Sequence, residues 1–203
     1  MTSITLPTTE NNTLPTVRER RYPPGDLAIW IFILAELAVF AIAFVGYAFA
    51  RMYNVELFNE YQQQLDRRSA LINTLVLITS SYFVVRAVHA IRGDNSRHCV
   101  RWLSAAMAMG GLFLFIKGAE FAHHFSHGIN LSTNTFYMFY LSLTIFHFMH
   151  VIMAMIILAA ITLKARRGGY SARDHRGVET GASYWHMVDL VWLILFPLVY
   201  VMH

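Results

Sequence analysis

Five long apolar runs separated by short polar stretches constrain this chain more than anything else in it. They cover roughly 27–50, 70–91, 102–125, 136–163 and 184–201, each about 18 to 28 residues long. At 1.5 Å rise per residue, each run is long enough to cross about 30 Å of hydrocarbon as a helix, with tilt in the longest. Backbone N–H and C=O groups find no water in that environment, so a spanning segment must satisfy them internally. Runs of this length and periodicity do so as helices rather than as a closed barrel. The expected fold is therefore all-α: a polytopic membrane protein with five transmembrane helices in one domain, residues 26–203. The hydrophobic content of 56% agrees, standing above the share a soluble domain carries.

Residues 1–25 read differently. They are polar, rich in Thr and Pro, and lack the apolar core of a signal peptide, so they are expected to form a flexible tail. Pro23, Pro24 and Gly25 break the chain there and deliver Asp26 as a candidate helix N-cap. The formal charge of +4 would suggest nucleic acid in a soluble protein, but the basic residues lie between apolar runs. They are better read as a topology signal facing anionic lipid, with no nucleic-acid partner. Eleven Lys and Arg fall on the side of the N-terminus and three on the other, which predicts a cytoplasmic N-terminus and an external C-terminus. The single cysteine, Cys99, excludes an intrachain disulfide and a thiolate cluster within the chain.

Polar residues inside the runs are the candidates for function. Glu36 lies about nine residues, or roughly 14 Å, into the first run, where an unpaired carboxylate facing lipid costs at least about 2.5 kcal/mol. It is expected to face other helices, to be protonated or to pair. In the third run Lys117, Glu120 and His124 fall three and four apart on one helical face, and a neutralising Lys117–Glu120 contact is the economical reading. His123, His124 and His127 raise a metal reading, but they lack the Cys or spaced acidic partners that usually complete a site. His147 and His150, three apart in the fourth run, are expected to share a face and to pack or hydrogen-bond between helices rather than to ligate haem. Gly46, Gly110, Gly111 and Gly118 read as points of close helix approach.

The final segment, ETGASYWHMVDLVWLILFPLVYVMH, carries Glu179, His186 and Asp189 at the entrance of an otherwise apolar run. Asp189 would sit about five residues, roughly 8 Å, inside the span. The expected arrangement is a polar interfacial site, with Trp185 and Trp192 fixing the helix depth and Glu179 reaching it from the preceding loop. Belt aromatics beside a hydrated acid remain the alternative.

Taken together, these segments resemble subunit III of the haem-copper oxidases, and in particular its short five-span branch, which includes proteins associated with nitric oxide reductase. FILAELAVF resembles the family's intramembrane glutamate segment at Glu36, and KGAEFAHH resembles its third-core-helix segment at Glu120, with Phe121 where tyrosine is usual. LTIFHFMHV resembles the family's paired-histidine pattern at His147 and His150, with Ile145 in the glycine position. The most extended similarity is Glu179 followed by Tyr184, Trp185, His186, Val188, Asp189, Val191 and Trp192. The first two spans of the long mitochondrial-type subunit have no counterpart here.

The resemblance implies a cytochrome c oxidase subunit III-like bundle in a bacterial cytoplasmic membrane. It implies an accessory, non-redox role supporting assembly, bound phospholipid and sustained oxygen reduction. Haem, and copper or non-haem iron, would then belong to partner subunits: the catalytic haem-copper subunit and its electron-accepting partner. Glu36, His147, His150, Glu179, Trp185, His186, Asp189 and Trp192 become candidates for a lipid or polar cleft, and Lys117 with Glu120 an intramembrane pair. The same fold could serve a nitric oxide reductase, and a small transporter would instead use Glu36, Lys117 and Glu120 as a polar path.

Overall fold

The computed structural model describes residues 27–202, so the expected tail and the Asp26 cap lie outside the described residues. Six α-helices follow in order: α1 Leu27–Tyr53, α2 Val55–Gln63, α3 Arg67–Arg92, α4 Ser96–Ser126, α5 Thr135–Arg166 and α6 Arg176–Phe196. A π-helical turn, Pro197–Val201, continues α6. Among the described residues five helices are long and apolar enough to cross a membrane: α1, α3, α4, α5, and α6 with its π-turn. Among the described residues there is no strand, and the protein is an all-α, multi-pass membrane bundle.

The helices run past the apolar windows because their polar ends are capped rather than unwound. Asp66 accepts from Arg68 N at 3.0 Å and Ser69 N at 3.2 Å, opening α3 ahead of its apolar stretch. Hydrogen bonds from the Ser69 hydroxyl and N–H hold the Asp66 carboxyl below the usual carboxylate range. Asn95 accepts from His98 N and Asn134 from Tyr137 N at the starts of α4 and α5. Between α3 and α4 the chain reverses over Gly93, Asp94 and Asn95, with Asp94 in the left-handed region at φ 56°. Asp tolerates that conformation, and its Oδ1 accepts from Ala172 N at 2.9 Å, tying the turn to the α5–α6 loop.

The tight reversal makes α3 and α4 the most extensively packed pair, joined by Ser80 Oγ donating to Ala106 O at 2.9 Å. Helix α6 packs against α3 and α5 and is the most enclosed span. At Gly110 the approach is close, since a Cβ would lie 2.6 Å from Met155 Sδ and 2.7 Å from the Trp185 ring. The expectation of close approach fails at Gly111 and Gly118, which have nothing within 4 Å, and Gly46 makes only ordinary contact with Phe139.

Helix α1 is held differently. Its buried residues, Ile33, Phe40 and Tyr47, are spaced by seven on one narrow stripe, while Ile31, Leu34, Ile42, Val45 and Phe49 are exposed. In the linker after it, α2 buries Phe58 and Gln62, with Phe58 edge-on to Tyr47 and Phe136. Arg51 binds this corner together, donating to Asn59, Gln62 and the Met202 carbonyl.

Candidate functional site

Lys117 is fully buried within the bundle. Its Nζ donates to Glu120 Oε1 at 2.9 Å, to Tyr140 Oη at 3.3 Å and to Tyr200 Oη. Glu120 Oε1 also accepts from Tyr140 and, at 3.0 Å, from Tyr200. The rings of Tyr200, Tyr140, Phe121 and Trp192 surround the ammonium, with centroids 5.1 to 5.7 Å away. An aromatic box and an acceptor three residues along the same helix offset the loss of hydration. The π-turn matters here because it carries Tyr200, binding the end of the chain to α4 and α5. Tyr140 and Tyr200 were not among the sequence candidates; the signal was indirect, a buried Lys needing more acceptors than one carboxylate.

Glu120 also borders a cavity of about 570 Å³ lined by His123, His124, His127, Asp66 and Tyr137, among others. Its Oε2 is buried without a hydrogen-bond partner, so the ion pair has one unsatisfied oxygen. Among the described residues no group of three or more His, Cys, Asp or Glu is placed to hold a metal ion.

Glu36 and His150 form the second centre. Glu36 Oε2 lies 3.0 Å from His150 Nε2, joining α1 to α5. His150 Nδ1 lies 2.8 Å from the Phe146 carbonyl, which can only accept, so Nδ1 carries a proton. The Nε2 contact then holds one proton in either of two states: a neutral acid donating to imidazole, or a carboxylate facing imidazolium. Phe40 and Phe146 cover the ring at centroid distances of 5.1 and 4.6 Å.

His147 departs from the expectation of a histidine pair on one face. It turns into the bundle against Phe113 and Trp192, with centroids at 5.9 and 5.2 Å, and neither ring nitrogen has a hydrogen-bond partner. The 100° step per residue places side chains three apart about 60° away from coincidence, which is enough to give them different neighbours at a crowded junction.

The C-terminal candidates separate into three groups. Glu179 is tied to Arg92 at 2.6 and 3.1 Å and to His175 at 3.2 Å. It stands in the first turn of α6, not in the preceding loop, because α6 begins at Arg176. His186 Nδ1 lies 3.1 Å from Ser81 Oγ, and buried Asp189 faces the same two groups with its Oδ1 unpartnered. His186 and Glu179 border a cavity of about 180 Å³ with His89 and Arg92; Asp189 does not line it.

Trp185 and Trp192 are corrections too. Neither is an interfacial anchor, since both are at most 1% exposed. Trp185 fills the space above Gly110, and Trp192 Nε1 donates to Thr74 Oγ1 at 3.0 Å. Aromatic belts and aromatic cores use the same residue types, and only packing distinguishes them.

A five-span helical bundle with acids and histidines linking its helices is thus the class of protein defined by this geometry. The family model for cytochrome c oxidase subunit III matches residues 25–203. Cytochrome c oxidase subunit 3 of Thermostichus vulcanus is 32% identical over 177 residues, covering 87% of this chain and 86% of that protein. The probable quinol oxidase subunit 3 of Staphylococcus aureus (strain USA300) is 26% identical, with 87% and 88% covered. The probable cytochrome c oxidase subunit 3 of Rickettsia bellii is 38% identical, over 64% of this chain and 47% of that protein. The chain belongs to the cytochrome c oxidase subunit III family of haem-copper oxidases.

Proposed function

We propose that this chain is the accessory, non-redox subunit III of a haem-copper terminal respiratory oxidase. It works in a bacterial cytoplasmic membrane with its N-terminus inside and its C-terminus outside. The catalytic subunit and its electron-accepting partner carry the haem and copper, and this chain supports their assembly and sustained oxygen reduction. Glu36 and His150 contribute a polar, proton-sharing contact at the edge of a phospholipid-holding cleft beside α1. Glu179, with His186 and Asp189 further along α6, contributes polar groups on the same half of the bundle, where Phe32 of α1 stacks on Tyr184 of α6.

The observation carrying this reading is the relative from Thermostichus vulcanus, named a cytochrome c oxidase subunit 3, which matches across most of both chains. The similar coverage of the Staphylococcus aureus relative, named a quinol oxidase subunit, means that a short chain does not by itself favour a nitric oxide reductase.

Purification of the intact assembly from native membranes in mild detergent tests the proposal. A copper-bearing oxidase subunit co-purifying with the chain, with oxygen consumption that decays faster when the chain is missing, is the expected result. A c-haem reductase turning over nitric oxide in its place would move the chain to denitrification, and isolation without any redox partner would return it to the transporter reading.

A further inference from the structure

We propose that the junction of α4 and α5 holds one anionic phospholipid by its headgroup, at a site separate from the Glu36 cleft. Three arginines carry the argument. Arg97 and Arg101 are four apart on α4, and Arg166 ends α5; with Ser96, Val100, Ala165 and Gly168 they line a cavity of about 340 Å³. Arg101 is also a wall of a second cavity, about 390 Å³, formed with His98, Trp102 and Ala105.

Among the described residues none of the three arginines has an ion-pair partner, although acids are near this end of the bundle. Glu179 is taken by Arg92 and His175, and Asp94 caps the Ala172 amide. Lys164, between the α5 apolar face and Arg166, is occupied over the Tyr170 ring at 4.5 Å. Three exposed arginines thus line one concavity without an ion-pair partner among the described residues, in a chain that spans a membrane. Guanidinium matches a phosphodiester in planar, two-pronged hydrogen bonding, and Val100 and Ala165 give the cavity an apolar side for the glycerol and upper acyl carbons.

A second observation points along the acyl chains. From Arg97 and Arg101 the same face of α4 continues through Ala105, Ala108 and Leu112 at helical three- and four-residue steps. Ala108 is exposed, Leu112 is 41% exposed, and neighbouring Gly111 has open space where a side chain would begin. The track is apolar, shallow and headed by the arginines. Trp102 flanks it, held by Phe83 and by Arg86, whose Cζ lies 5.2 Å from the Trp102 ring centroid. The assignment rests on the membrane reading of the chain and not on which redox partner it serves.

Native mass spectrometry of the full chain with its co-purifying partners tests the site. Delipidated protein is incubated with phosphatidylglycerol or with phosphatidylcholine of the same acyl chains, with and without excess inorganic phosphate. The expected result is selective retention of one phosphatidylglycerol, unaffected by phosphate and reduced about tenfold by Arg101→Gln/Arg166→Gln. Arg173→Gln, at the same end but outside the groove, should leave retention unchanged. Equal retention of the two lipids, an equal loss on Arg173→Gln, or undiminished retention in the double variant would overturn the proposal. Displacement by inorganic phosphate would replace the lipid with a free-anion site. Loss of partner chains with lipid retention intact would make the groove a protein contact. Glu36 is unchanged throughout, so failure here is distinct from failure of the cleft reading.

Discussion

Two charged centres lie within the bundle, and they are built on opposite principles. Lys117 and Glu120 are on the same helix, with the ammonium fully buried and both groups bonded to hydroxyls from α5 and the π-turn. Glu36 and His150 are on different helices, meet through one contact, and keep 20% and 10% of their side-chain surfaces exposed. In the first centre, the surroundings have been shaped around a charge that cannot leave. The second is a polar tie from α1 to α5, on a helix whose buried side chains form a narrow apolar stripe and whose far end is held by Arg51. Depth in the membrane alone therefore does not mark a functional acid; the number of partners that would be stranded by its loss does.

The largest effect should come from the crowded centre. Lys117→Met leaves Glu120 ionised among buried hydroxyls and should destabilise the bundle by about 3–5 kcal/mol, measured as thermal unfolding of the purified chain in detergent. Adding Glu120→Gln should recover much of that loss, because the amide oxygen still accepts from Tyr140 and Tyr200 and no charge is stranded. An unaltered melting curve for Lys117→Met alone would remove the distinction between the centres.

A smaller effect is expected at the single tie. Glu36→Leu strands His150 Nε2 and should cost about 1–3 kcal/mol. Glu36→Gln can still donate to a neutral imidazole and should melt close to the parent. In the assembled complex Glu36→Gln should keep initial turnover while shortening the period over which it is sustained, followed by oxygen consumption over many minutes. Failure of Glu36→Gln to assemble would show that the charge itself is structural, and the two centres would then be alike.

The smallest effect lies outside both. Asp66→Ala removes the α3 cap and should cost about 1 kcal/mol. Because the folded Asp66 carboxyl is held below its ordinary value, its contribution is present above the unfolded carboxylate pKa and is lost as the pH falls through the lowered one. Parent and variant should therefore converge in stability under strongly acidic conditions. A difference that persists there would assign the cap's effect to something other than its charge.

How far these centres were legible in the sequence follows from their construction. The five spans were readable because hydropathy over about 20 residues reports directly on burial in lipid. Lys117 and Glu120 were readable as a pair because a three-residue step is a local property of a helix. Tyr140 and Tyr200 were not, since what makes them partners is the meeting of segments distant in sequence. The α2 helix was missed because nine residues mixing Val55, Leu57 and Phe58 with Glu56, Asn59 and Glu60 give too short a pattern to separate from a loop. Glu179 reads as a loop residue in the sequence because the polar first turns of α6 lie outside the apolar window yet are helical. The π-turn left only Pro197 as a sign, and a proline does not specify which hydrogen-bond register follows it.

The central claim, that Glu36–His150 is the polar tie fixing α1 against α5 in a bundle whose integrity depends on Lys117–Glu120, is tested most directly by a distance across α1 and α5. Spin labels at Val39 and Met153, both exposed, would be measured by double electron–electron resonance in the full chain, with buried Cys99 left in place. Glu36→Leu should broaden and lengthen the distance distribution, while a second label pair between α3 and α4, at Leu75 and Phe115, stays narrow. An unchanged α1–α5 distribution in Glu36→Leu, or equal broadening of both pairs, would contradict the account.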